Sequence, residues 1–130
     1  MDIRKTAIEC HKTAASKGFW DKPRNFGEML MLITSELGEA LEAHRKGKNA
    51  NIKAFETDME GWDEDDTDNY KRKFKSEFEH CIKDSIGDEL ADATIRLFDT
   101  AYGNDIDLEW HIKQKMKYNK TREHMHGKAY

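Results

Sequence analysis

The chain has 130 residues, enough for a single domain over residues 1–130 with a modest hydrophobic core. Charged and hydrophobic residues each make up 37% of it, which is typical of helices that bury one stripe. The net charge of −4 gives no case for binding to nucleic acid or to a membrane, and we expect neither a nucleic-acid polymer nor a membrane as partner. No apolar run reaches membrane length or resembles a signal peptide, and the two cysteines do not define a disulfide framework, so we expect a cytoplasmic protein.

The first part of the chain predicts two helices joined by an aromatic loop. Apolar residues recur at helical spacing over residues 2–17, and Gly18 ends this first helix. A second helix is predicted over residues 26–46, with Gly47 at its C-terminal end. Its predicted buried stripe consists of Phe26, Leu30, Ile33, Leu37 and Leu41.

The middle of the chain is its least regular part. We interpret residues 48–83 as an insertion or an elaborated loop, with a short helix over residues 52–59. Residues 54–70 carry eight acids and neither lysine nor arginine, a pattern typical of a solvated segment.

Helical periodicity then continues almost to the C-terminus. It predicts a long helix over residues 70–102, in which Gly87 marks a kink or a break, and a last helix over residues 106–120. Residues 121–130 form a basic tail. Because no strand pattern occurs, we predict an all-α fold, a bundle of four or five helices.

Two pairs of acids within apolar stretches are the strongest functional signal. Glu36 and Glu39 share one face of the second helix, and Glu89 and Asp92 share one face of the long helix. Carboxylates gathered in a partly buried cleft repel one another and lose hydration, unless a cation compensates them. Hard cations prefer all-oxygen ligand sets, so the sequence predicts a Mg²⁺ site, with Mn²⁺ also possible.

A second candidate constellation is basic. Lys115, Asn119 and Arg122 lie at i, i+4 and i+7 on one face of the last helix, and Lys128 follows in the tail. Such residues can hold polyphosphate oxygens, although a basic helix C-terminus can also merely complement the helix dipole. Trp20 in the aromatic loop can stack on a nucleobase or seal the core.

The two acid motifs, in this order, resemble those of the MazG-like, all-α nucleoside triphosphate pyrophosphohydrolases. The matching segments are residues 35–43 and 88–93, and the resemblance covers roughly residues 18–47 and 84–128. It implies cleavage of the α–β phosphate bond of a ribo- or deoxyribonucleoside triphosphate by a homodimer or homotetramer. The implied Mg²⁺ ligands are Glu36, Glu39, Glu89 and Asp92, of which Glu36 and Glu39 are also catalytic, and the implied phosphate contacts are Lys115, Asn119, Arg122 and Lys128.

Two features depart from the family pattern. The 49 residues between Glu39 and Glu89 are more than is usual, which is why we interpret residues 48–83 as an addition. Some members carry an acid just before the first motif, where it can serve as general base, and this chain has Ser35 there. Deprotonation of the attacking water would then fall to a ligating carboxylate or to acidification by the metal.

Three alternatives stay open at this stage. Phosphoribosyl-ATP hydrolysis belongs to the same fold. A di-iron carboxylate protein is suggested by two E-x-x-H matches, Glu77 to His80 and Glu123 to His126. A non-catalytic helical module could bind a partner through the acidic residues 54–70.

Overall fold

A computed structural model of the chain describes residues 2–64 and 67–123. These residues form six α-helices and no strand: α1 (Ile3–Ser16), α2 (Phe26–Arg45), α3 (Ile52–Met59), α4 (Asp68–Cys81), α5 (Ile86–Gly103) and α6 (Leu108–Lys120). The predicted all-α fold class is therefore confirmed for the described part of the chain. None of these helices is both long and apolar enough to cross a membrane.

The chain separates into two compact units. Of the described residues, those within 27–94 form the central unit, and residues 2–26 and 95–123 form the terminal unit. The central unit contains α3, α4, nearly all of α2 and the first half of α5. The candidate metal ligands all belong to it.

The buried face of α2 differs from the predicted stripe. Met29, Glu36, Ala40 and Ala43 are buried, at positions that recur along one face of the helix. The predicted leucines are half exposed: Leu30, Leu37 and Leu41 retain 46%, 50% and 49% of their accessible surface. The prediction of the buried face was wrong because helical spacing identifies an apolar stripe without identifying what the stripe packs against.

The helices α3 and α4 pack against each other as a helical hairpin. Asn51 caps α3 by accepting a hydrogen bond from the backbone of Ala54, and the predicted short helix over residues 52–59 is confirmed. The ring of Phe55 on α3 packs edge-on against Phe74 and Phe78 on α4, with centroids 5.6 and 6.4 Å apart.

Two backbone hydrogen bonds close the base of this hairpin. The N–H of Asn51 donates to the carbonyl of Cys81 at 2.8 Å, and the N–H of Ile86 donates to the carbonyl of Lys48 at 3.0 Å. The hairpin thus leaves and rejoins the chain at nearly one point, between the end of α2 and the start of α5. This geometry is what an insertion between two helices requires, although the interpretation as an insertion stays a prediction.

The predicted long helix over residues 70–102 is two helices. It is interrupted at residues 82–85, where Asp84 has φ +58°, a conformation that aspartate tolerates better than most residues. Ser85 then caps α5, since its hydroxyl accepts a hydrogen bond from the N–H of Asp88 at 3.3 Å. The break therefore ends two residues before Gly87, the predicted position.

The terminal unit contains α1, α6 and the end of α5. Asp2 caps α1 and Asp107 caps α6, and the two helices pack together. Arg4 connects them, because its guanidinium lies 3.6 Å from Asp107 and its backbone N–H donates to Glu109.

Candidate metal centre

Three of the four predicted metal ligands come together in the central unit. One carboxylate oxygen from each of Glu36, Glu89 and Asp92 can be chosen such that all lie within 4.8 Å of one another. Glu36 and Glu89 are each only 6% exposed, whereas Asp92 is exposed. Two buried carboxylates beside a third, solvent-facing one form an open, all-oxygen ligand set, which suits a hard divalent cation that keeps some of its water.

The electrostatics at Glu89 agree with this donor set. Burial raises the pKa of Glu89, and the neighbouring charges raise it further, with Glu39 first and then Asp88, Asp92 and Glu36. The carboxylate of Glu89 is therefore held where its own charge is unfavourable. A bound cation would remove this penalty, so the residues present fit a divalent metal.

Glu39, the fourth predicted ligand, lies beside the group of three. Its charge acts more strongly on Glu89 than that of any other acid, and both side chains line one cavity of about 150 Å³. The structure thus gathers all four predicted acids in one region. A ligand role for Glu39 itself stays a prediction.

The cavity also has residues that the sequence motifs did not identify. Lys46 and Lys48, from the end of α2, line it together with Glu42, Ala43 and Asp84. Lys46 contacts Glu42 and Lys48 contacts Asp84, with N–O distances of 3.0 and 3.9 Å. In the sequence, these lysines stand on either side of Gly47, about two helical turns after Glu39, and no local pattern indicates that they line a cavity.

A second group in the central unit also has closely spaced potential ligand atoms, from Asp58, Glu77 and Cys81. Burial and the charges of Asp58 and Glu77 raise the pKa of the Cys81 thiol. Here, however, a cation is already supplied by the protein, because Lys73 donates a hydrogen bond to Glu77 at 2.9 Å. The carboxylate of Glu77 therefore already has a cationic partner within the protein.

The predicted phosphate contacts belong to the terminal unit. Lys115, Asn119 and Arg122 are exposed on or just beyond α6, and Lys115 and Arg122 lie 5.0 and 5.9 Å from the ring centroid of Tyr118. Lys128 lies outside the described residues. The role of all four in phosphate binding stays a prediction.

Trp20, the predicted base contact, makes its observed contacts with other residues of the terminal unit. Its indole N–H donates to Asp99 at 2.8 Å, and the same carboxylate oxygen lies 2.8 Å from Nδ1 of His11. The Trp20 ring also packs so closely on Gly103 that a Cβ there would lie 2.3 Å from it. These contacts account for Trp20 as a packing residue, and a role in base binding stays a prediction.

The alternative di-iron motifs gain no support from the geometry. Among residues 2–64 and 67–123, neither group of closely spaced ligand atoms includes a histidine. Glu77 is paired with Lys73 and His80 is exposed. His126 lies outside the described residues.

No family model matches the chain, and no match is found among curated proteins or solved structures. The resemblance to MazG-like enzymes therefore depends on the two acid motifs of the sequence alone.

Proposed function

We propose that this chain is a Mg²⁺-dependent nucleotide pyrophosphohydrolase of the MazG-like type, which converts a nucleoside triphosphate into a monophosphate and pyrophosphate. The observation that carries the proposal is the group formed by Glu36, Glu89 and Asp92, whose carboxylates come from two helices in the order E-x-x-E, E-x-x-D. A buried acid such as Glu89, whose pKa is raised by burial and by neighbouring acids, is more often kept for a binding or catalytic role than for stability.

The residues that would hold the cation are Glu36, Glu89 and Asp92, with Glu39 beside them. When bound, Mg²⁺ would neutralise phosphate charge and acidify a nearby water; Mn²⁺ could supply the same chemistry. The buried position of Glu36 and Glu89 limits their motion, so the protein would present these oxygens without further ordering.

The reaction requires a proton acceptor as well as charge. The oxygen of water forms a bond to the α-phosphorus while the bond from that phosphorus to the bridging oxygen breaks, and pyrophosphate leaves with the electron pair. Glu39 is exposed, lines the cavity and lies outside the group of three, so we assign it as the acceptor of the water proton.

The proposal extends to substrate binding. Lys115, Asn119, Arg122 and Lys128 are proposed phosphate contacts, and Trp20 is a proposed contact of the base. The family resemblance and the reducing conditions suited to two free cysteines support a cytoplasmic enzyme acting on free nucleotides. The half-exposed leucines of α2 support a homodimer or homotetramer.

The test is release of pyrophosphate from a panel of ordinary and modified nucleoside triphosphates, with Mg²⁺ and with EDTA. We expect release that requires Mg²⁺ and leaves the monophosphate. Glu39→Gln should lower kcat by at least about a hundred-fold while the melting temperature stays close to that of the wild type. Glu28→Gln is the matched control, because Glu28 is an exposed acid in the first turn of the same helix.

Full activity of Glu39→Gln at saturating Mg²⁺ would remove Glu39 from the mechanism. Absence of pyrophosphate release across the panel, from folded protein that binds Mg²⁺, would contradict the proposed reaction.

A further inference from the structure

The cavity beside the acids has a basic wall that the family resemblance does not explain. Lys46 and Lys48 line it together with Glu39 and Glu89. We infer that Lys46 and Lys48 bind phosphate oxygens of the nucleotide as it lies against the acids. The inference rests on the proposed function and names phosphate contacts within the same site.

The backbone at the end of α2 fixes where both lysines lie. Gly47 has φ +65°, which favours glycine, and its N–H donates to the carbonyl of His44 at 3.0 Å. The N–H of Lys48 donates to the carbonyl of Ala43 at 2.9 Å, which completes a Schellman motif. Because the carbonyl of Lys48 also accepts a hydrogen bond from Ile86, its backbone is attached to α2 on one side and to α5 on the other.

The ammonium groups of Lys46 and Lys48 lie at the cavity in exposed ion pairs, so a ligand can replace their present carboxylate partners. Lys46 lies 3.0 Å from Glu42 and Lys48 lies 3.9 Å from Asp84, and the two lysine side chains are 58% and 51% exposed. Exposed ion pairs of this kind contribute little to stability. A polyphosphate carries several charges on closely spaced oxygens, so it can replace these carboxylates as the partner of the lysines.

Charge balance makes phosphate binding depend on the metal. The ionisable residues that line the cavity are four acids and two lysines: Glu39, Glu42, Asp84, Glu89, Lys46 and Lys48. This negative excess repels a free polyphosphate. A divalent cation on the buried acids would offset the excess, and we therefore expect polyphosphate to bind only together with Mg²⁺.

The inference is tested by calorimetric binding of inorganic tripolyphosphate with and without Mg²⁺. For the double variant Lys46→Gln with Lys48→Gln, we expect binding about ten-fold weaker than in the wild type, the loss expected for roughly one charge-assisted hydrogen bond. Its affinity for Mg²⁺ alone should not fall, because two positive charges near the acids are removed. Arginine at both positions should restore much of the tripolyphosphate binding.

Arg45→Gln is the matched control. Arg45 pairs with the same Glu42, at 3.9 Å, but is not among the described residues that line the cavity. Its replacement also removes one positive charge from the end of α2. We expect tripolyphosphate binding to this variant to stay within about two-fold of the wild type.

The outcomes separate the two proposals. Equal binding by the double variant and the wild type, or an equal loss in Arg45→Gln, would overturn the assignment of the lysines, and so would a wild type that fails to bind tripolyphosphate in the presence of Mg²⁺. Wild-type protein that binds tripolyphosphate through the lysines but releases no pyrophosphate from any nucleotide would support the phosphate site and overturn the reaction.

Discussion

Glu89 is held in an unfavourable position for a charged side chain. It is 6% exposed, and the acids Glu36, Glu39 and Asp92 lie close enough to raise its pKa. Buried charge of one sign lowers the stability of a chain unless a partner of the opposite sign is present. We therefore interpret Glu89 as a residue that serves cation binding at the expense of the stability of the metal-free protein.

Replacing Glu89 with glutamine should stabilise the metal-free protein at neutral pH. The folded-state pKa of Glu89 is raised, so the folded protein binds more protons than the unfolded chain between the ordinary carboxyl pKa and the raised value. Stability is therefore lost as the pH rises through that interval, and the loss is complete above it. In EDTA at pH 7, we expect the Tm of Glu89→Gln to be about 2–4 °C above that of the wild type.

Two further measurements decide the cause of this shift. The difference in Tm should shrink as the pH falls through this interval and disappear below the ordinary carboxyl pKa, where Glu89 is protonated in both the folded and the unfolded state. Added Mg²⁺ should raise the Tm of the wild type more than that of the variant. An equal rise with Mg²⁺ in both proteins would contradict the assignment of Glu89 as a ligand.

At the scale of helices, Gly38 inside α2 and Gly47 just beyond its end have opposite requirements. Gly47 follows the helix at φ +65°, where a Cβ is strained, so Gly47→Ala should destabilise the protein by roughly 1 kcal/mol. Gly38 lies inside the helix, and an added Cβ there would meet no described atom within 4 Å. Gly38→Ala should therefore stabilise the protein by about 0.5–1 kcal/mol, through the better helix propensity of alanine.

Urea unfolding of the two variants measures both effects, and their signs should be opposite. Destabilisation by Gly38→Ala would mean that the backbone at Gly38 is approached closely by a second copy of the chain. A neutral Gly47→Ala would contradict the claim that the left-handed residue fixes the end of α2.

The same elements indicate what the sequence can predict. Helix ends with local signals were predicted well, because Gly47 and Asn51 act through the backbone of their own segment. The break between α4 and α5 was predicted only as a kink or a break at Gly87, and its position was wrong, because the apolar period continues from Ile82 to Ile86 across it. The sequence signal for the break was Ser85, a residue type that often caps the start of a helix. The continuous apolar spacing outweighed it in the prediction, although a four-residue break disturbs such spacing very little.

The acids of the candidate site could be predicted and its lysines could not. Glu36 and Glu89 occur within motifs of fixed spacing, so helix geometry alone gives each of them a neighbouring acid on the same face. Lys46 and Lys48 reach the cavity only because the end of α2 meets the start of α5, which is a tertiary contact. No local pattern specifies that meeting.

At the scale of the whole molecule, the described chain buries mainly small side chains. Five of its eight buried hydrophobic residues are alanines, so the chain by itself obtains little hydrophobic stabilisation from large side chains. The larger apolar residues of α2 that form the stripe are Leu30, Leu37 and Leu41, and they lie about 110° around the helix from its buried face. A regular apolar stripe left half exposed is typical of a surface that another subunit covers.

A lysine in this stripe should therefore dissociate the proposed oligomer. Leu30→Lys places a charge within the stripe, six residues before Glu36. We expect the wild type to sediment as a dimer or tetramer and the variant to sediment as a monomer. Met31→Lys is the matched control, since Met31 is 65% exposed on the next position, about 100° around the helix from the stripe. It should leave the assembly intact. A wild type that sediments as a monomer, or equal dissociation by both variants, would contradict the assignment of the stripe as a subunit interface.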